Sequence, residues 1–189
     1  MRMVGIGSMS VASAGVSASD RSGYAIRRYG AAQWRQLRDI RLEMLADSPL
    51  AYVEPLSSAR QRSGQDWRDR AAWAGQPHRL GVAGVLRGTG RWIGLACGSV
   101  FDDRGGRPFV FSVYVAPDFR GRGLADDLLQ RVEGWAREQG HPALFLYVHQ
   151  ANARAAAFYQ HRGYHFTGAR ETYPLDRSQS ELEMRLPLH

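Results

Sequence analysis

Apolar positions along the chain change period from segment to segment, and the changes divide it into elements. Tyr24 to Tyr29 alternates weakly and predicts a first strand. Ala31 to Ala46 places Trp34, Leu37, Ile40, Met44 and Leu45 at helical spacing, and Ser48-Pro49 ends that helix. Ser63-x-x-Asp66 has the form of a capping box and predicts a second helix to Trp73, stopped at Gly75. Leu80–Leu86 and Trp92–Phe101 read as strands joined by a Gly88-Thr-Gly90 turn. Asp102 to Pro108 forms another turn before a strand at Phe109–Val115. Leu124, Leu128, Val132 and Trp135 mark the buried stripe of a further helix, in which Gly134 is an unexplained weak point. A short buried strand at Leu144–Val148, a helix after Asn152, and closing strands at Tyr164–Glu171 and Glu181–Leu188 complete the order. Strand hairpins, then helix, strand, helix and strands again predict a mixed sheet flanked by helices.

The most informative stretch lies where the Val113–Val115 strand passes into the helix of Leu124. Pro117 stops the strand, and Arg120, Gly121, Arg122 and Gly123 make the turn. Glycines there let the backbone aim several amides at one point, where the helix N-terminus adds partial positive charge. That arrangement seats an anion, most often a phosphate. A dinucleotide fingerprint starting at Gly121 fails at its sixth position, which is Asp126 where close packing needs Gly or Ala. A P-loop is excluded because the chain has no lysine.

What remains is Arg120-x-x-Gly123-x-Ala125, preceded by Val-x-Val-x-Pro. This resembles the coenzyme A loop of the GCN5-related N-acetyltransferase (GNAT) family. A second region, Asn152-x-x-Ala155-x-x-Phe158-Tyr159 followed by Gly163-Tyr164, is similar to that family's late helix, with its early Asn and later Tyr. The resemblance covers roughly residues 23 to 188.

The resemblance implies an α/β (α+β) fold with a mixed, mostly antiparallel sheet of six to seven strands, splayed in the middle and flanked by about four helices. It implies acetyl-CoA as acyl donor, with Val113, Tyr114 and Val115 along the pantetheine arm. Arg120, Gly121, Arg122, Gly123, Leu124 and Ala125 would wrap the pyrophosphate, with Asn152 and Tyr159 completing the cofactor site. A backbone N–H near Tyr114 would face the thioester oxygen. The reaction expected is direct attack by a primary amine in a ternary complex. Tyr159 is the candidate general acid, because a phenol is protonated at neutral pH and can protonate the departing thiolate. Asn152 is equally placed to cap its helix.

The general base is harder to place. The strand before the phosphate loop carries no acid, which leaves a water relay or a base from elsewhere; Glu54, in the 48–58 loop, is the first candidate, ahead of Asp102, Asp103 and Glu171. Arg154 and Arg162 are candidates to neutralise a ribose phosphate. His149, Tyr52, Trp67, Trp73 and Tyr173 are candidates to line the acceptor side.

Composition narrows the field further. A single cysteine, Cys97, rules out an internal disulfide and a cysteine-based metal cluster, and no metal site is expected. The net charge of +7 comes from dispersed arginines, which suits an anionic cofactor better than a nucleic-acid tail. No apolar run reaches the about 18 residues needed to span a bilayer. Residues 1–22 read as a disordered leader and 23–189 as one acetyltransferase domain, cytoplasmic, and monomer or homodimer. The sequence leaves the acceptor class open between a small-molecule amine and a peptide or protein amine. A non-catalytic coenzyme A sensor is the alternative function, and a nucleic-acid binder the remoter one.

Overall fold

The computed structural model describes residues 23–189. The leader expected over residues 1–22 lies outside the described residues. Strands β1 (Tyr24–Arg28), β2 (Arg79–Leu86), β3 (Trp92–Phe101), β4 (Arg107–Val115), β5 (Ala143–His149), β6 (His165–Thr172) and β7 (Ser180–Pro187) form one sheet. Helices α1 (Trp34–Asp47), α2 (Leu56–Arg60), α3 (Gly64–Trp73), α4 (Leu124–Glu138) and α5 (Ala153–His161) flank it. The strand order is β1-β2-β3-β4-β5-β7-β6, and every neighbouring pair is antiparallel except β4 with β5.

One element was not anticipated. The segment read as a loop over 48–58 contains a 3-10 turn at Pro49–Ala51 and enters α2 at Leu56. Helix α2 has only five residues, too few for an amphipathic period to show in sequence. The capping box at Ser63 forms as expected: its hydroxyl accepts from the Asp66 amide, and the Asp66 carboxylate accepts from the Ser63 amide.

Helix α4 holds the centre of the sheet. Its expected stripe of Leu124, Leu128, Val132 and Trp135 is buried, and it presses on glycines of β2 and β3. A methyl on Gly98 would come within 2.8 Å of the Trp135 ring, and one on Gly94 within 2.9 Å of Leu128. The missing side chains therefore let the helix sit close to the strands, which fixes the height of its N-terminus. Gly134 is different, because a methyl there would meet nothing within 4 Å. Gly134→Ala is expected to stabilise the protein by up to about 1 kcal/mol, read from urea unfolding.

The sheet splays where β4 meets β5. Only Phe109 and Phe145 pair across that junction, so the two strands diverge beyond it. A β-bulge sits on the same stretch: Leu95 faces Tyr114 and Cys97 faces Phe111, which leaves one extra residue on β4. Ser112 absorbs it with φ +54°, in the left-handed region. The bulge bends β4 away from β5 and opens a gap in the middle of the sheet.

Candidate active site

Where β4 leaves β5, its last residues, the following loop and α5 enclose a groove of about 490 Å³. Val113, Tyr114, Val115, Arg120, Gly121, Gly123, Leu124, Ala125, Asn152 and Tyr159 all line it, as do Ser48, Tyr52 and Arg154. Arg122 does not; it is exposed and its guanidinium lies over the Phe119 ring. A second groove of about 660 Å³ lies outside α4 against β1 and β2, and none of the candidate catalytic residues lines it.

Three helices show why the groove suits an anion. Ser63 caps α3 with its side chain, and Asn152 caps α5, accepting from the Ala155 amide at 3.1 Å. Helix α4 has no such cap, because Gly123 (φ +84°) occupies that position. No described residue accepts a hydrogen bond from the amides of residues 121–126, and Asp127 is the first to bond back, to the Gly123 carbonyl. Residue 123 is the place where glycine is needed, since a left-handed turn costs another residue about 1–2 kcal/mol. Unclaimed amides at a helix N-terminus, opening onto a groove, fit a pyrophosphate.

Arg120 takes a different part from the one its charge suggests. Its Nε donates to the Val115 carbonyl at 3.0 Å and its Nη2 pairs with Asp47. The side chain thus braces the loop against β4 and α1, and its guanidinium is not free for an anion in the groove. Arg162 is likewise engaged, bridging Asp126 and Glu133 at 2.6 and 2.8 Å, so of the two arginines only Arg154 reaches the groove.

The backbone of β4 alternates between its two neighbours. The Ala116 amide donates to Ile93 on β3, and Tyr114 pairs with Leu95. The Val113 and Val115 carbonyls point the other way, accepting from Tyr52 Oη (2.9 Å) and Arg120 Nε. By the same alternation the Tyr114 amide turns toward β3. A backbone donor facing the gap must therefore come from a neighbour of Tyr114, and the ring of Tyr114 points away to reach Glu43.

Tyr159 stands on α5, half-buried at the apolar part of the groove, with its ring edge-on to Tyr164. Its hydroxyl makes no hydrogen bond to another described residue. Burial raises the phenol pKa above its ordinary value, with no neighbouring charge opposing the effect. Such a group keeps its proton throughout the neutral range. Burial likewise raises the Tyr52 phenol, and the neighbouring Tyr159 adds to the effect.

The surroundings of Glu54 remove it as the base. Its carboxylate accepts from Arg41 Nε and Nη2 (3.0 and 2.9 Å), Arg62 Nε (2.8 Å) and Arg70 Nη1 (3.0 Å). Although burial opposes it, the three guanidiniums together hold the pKa down at about 2. A carboxylate so stabilised has little tendency to take up a proton, and its lone pairs are already engaged. Glu54 is a structural hub: Arg41 also donates to Ser112 Oγ at 3.1 Å, so the cluster pins α1, the two ends of the segment around α2, α3 and the β4 bulge together. Sequence offered no signal for this, because the four residues come from separate segments. Glu171 is also engaged, by Arg104 and by Tyr147. Of the candidate aromatics, Trp67 is core and Trp73 packs on Phe111, whereas Tyr173 donates to the Tyr52 carbonyl and ties the loop before α2 to the β6–β7 connection.

Comparison with known proteins agrees with this geometry. The profile of the Acetyltransferase (GNAT) family matches residues 36–164, and the chain belongs to that family. It is 37% identical over 108 residues to a mycothiol acetyltransferase of Propionibacterium freudenreichii, covering 56% of this chain and 31% of that protein. It is 32% identical over 126 residues to the streptothricin acetyltransferase of Streptomyces lavendulae, covering 67% and 62%. The chain thus spans about a third of the first relative's length and under two thirds of the second's. A phosphinothricin acetyltransferase from Sinorhizobium meliloti, solved in complex with acetyl-CoA, shares the fold with a TM-score of 0.71 at 22% identity, covering 88% of this chain and 89% of that one. Among the described residues, no helix is long and apolar enough to cross a membrane.

Proposed function

We propose that this chain is an acetyl-CoA-dependent N-acetyltransferase acting on a primary amine by direct attack in a ternary complex. The observation that carries the reading is the uncapped N-terminus of α4, whose amides open onto the same groove as the Tyr159 hydroxyl. Amides of Gly121, Gly123, Leu124 and Ala125 would hold the pyrophosphate, with Arg154 at the groove's edge. Backbone groups of Val113 and Val115 border the splayed gap, where an extended arm would lie between β4 and β5.

Bound acetyl-CoA would supply an acyl carbon activated by a thiolate leaving group. The chain's part is to bring an amine to that carbon and to manage two protons. Tyr159 keeps its proton by burial and gives it to the sulfur as the carbon–sulfur bond breaks. The amine nitrogen forms the new bond to carbon and must shed a proton. Asp126 is the one carboxylate lining the groove among the described residues, and it is paired with Arg162. We therefore assign that proton to a water relay. Cys97, buried on β3 and not lining the groove, shares a hydrogen bond with Tyr29, and burial raises its pKa, so no thiolate nucleophile is at hand.

The test is release of coenzyme A thiol from acetyl-CoA with a panel of small amines and peptides. Thiol release stimulated by particular amines is the expected result. Tight coenzyme A binding with no amine stimulation would instead indicate a sensor.

A further inference from the structure

A side cavity of about 280 Å³ branches from the main groove, lined by Ser48, Pro49, Leu50, Ala51, His149, Ala151 and Asn152. Ser48, Ala51 and Asn152 line both spaces, so the two are neighbours. Its walls are mostly apolar or small, and His149 is the one imidazole among them.

His149 ends β5 and is 4% exposed, its ring held edge-on to Tyr173 at 4.6 Å. Nδ1 accepts a hydrogen bond from the Ala151 amide at 3.2 Å. A neutral imidazole whose Nδ1 accepts carries its proton on Nε2. That Nε2 is buried and has no hydrogen-bond partner among the described residues. The turn bond therefore fixes the tautomer and leaves a directional N–H donor in a site where an unmet donor is costly.

Building on the acetyltransferase reading, we propose that His149 Nε2–H recognises the acceptor substrate, donating to a carbonyl or carboxylate oxygen set a few atoms from its amine. Ligand sites commonly combine apolar walls with a few placed polar groups, and here the placed group is a donor without positive charge. The amine that reacts enters at the splayed gap, and the oxygen it carries docks in the branch. His149 is thus a specificity residue and takes no part in proton transfer, because the lone pair of its neutral ring is already used.

Two variants separate the donor from the turn. His149→Asn keeps an acceptor for the Ala151 amide and removes the distal N–H; His149→Gln returns an N–H near the Nε2 position. Leucinamide and isoamylamine serve as matched acceptors with and without the oxygen. In the native protein, kcat/KM is expected to be at least tenfold higher for leucinamide. His149→Asn is expected to remove that preference, leaving isoamylamine turnover within about twofold and the acetyl-CoA Kd by calorimetry unchanged, with partial recovery in His149→Gln. Equal losses for both amines, or a native protein with no preference between them, would overturn the proposal while leaving the acetyltransferase reading intact. A weakened acetyl-CoA Kd in His149→Asn would overturn it in favour of a cofactor carbonyl as the partner. Absence of amine-stimulated thiol release throughout would sink the acetyltransferase reading, and this proposal with it.

Discussion

Replacing Tyr159 by Phe is expected to lower kcat at least tenfold while leaving the calorimetric affinity for acetyl-CoA nearly unchanged. The ring fills the same space against Tyr164 and Phe158, so the groove keeps its shape. What disappears is a single hydroxyl that has no described protein partner and whose proton is retained by burial. General acids of this kind contribute about 100- to 10,000-fold, and water entering the groove can replace part of that. Because burial raises the phenol pKa, the acid form persists through the neutral range, and no loss of activity from Tyr159 ionisation is expected below pH 10. Unaltered kcat in Tyr159→Phe would remove the residue from the mechanism.

The largest effect on stability is expected from Glu54→Ala. This change leaves Arg41, only 5% exposed, without the carboxylate oxygen that accepts from both its Nε and its Nη2. Breaking a buried pair by removing one member typically costs about 3–5 kcal/mol, because the other charge stays behind uncompensated. Arg62 and Arg70 are much more exposed and can turn to water, so they add little. Urea unfolding at neutral pH measures the loss, and a value below about 1 kcal/mol would contradict the hub assignment. The double variant Glu54→Leu with Arg41→Met should recover much of it. The pH dependence has a definite sign. The folded-state pKa of Glu54 is depressed from an ordinary 4.5 to about 2. Its contribution is therefore complete above about pH 5 and is lost as the pH falls through 2. The same depression that makes Glu54 useful to stability makes it unsuited to accept a proton from an amine.

Much of the architecture was legible in the chain because it rests on local periodicity. The stripe of Leu124, Leu128, Val132 and Trp135 identified α4, and the Ser63 capping box placed the start of α3 within a residue. The uncapped turn ahead of α4 was legible for the same reason: its components, Gly121 to Ala125, are consecutive, and the left-handed turn at Gly123 depends on local steric freedom. The position of Asn152 in the sequence suits either a cap or a cofactor contact. Its Oδ1 caps α5, and the residue also lines the groove, so the geometry accommodates both. Short α2 leaves no signature in the sequence, because five residues carry less than two turns of pattern.

The charged residues were the least legible. Arg120 and Arg162 looked like phosphate ligands by type and position, yet Asp47, Asp126 and Glu133 claim their guanidiniums across distances of 29 to 73 residues in sequence. Glu54 looked available by its place in a loop and is instead held by partners 8 to 16 residues away, on α1, on α3 and in the turn between α2 and α3. An isolated charge in a sequence says what a group can do, and its neighbours in space decide whether it is free to do it.

Period and glycine placement act over a few consecutive residues, so the chain's own pattern carries the order of the strands, of every helix but α2, and of the amide-rich turn at 120–125. Tertiary structure alone decided the bulge at Ser112 that opens the sheet, the captivity of Glu54, and the unshared Nε2 proton of His149. Each of those depends on groups brought together from distant segments, whose hydrogen bonds and burial exist only once the sheet has closed around them.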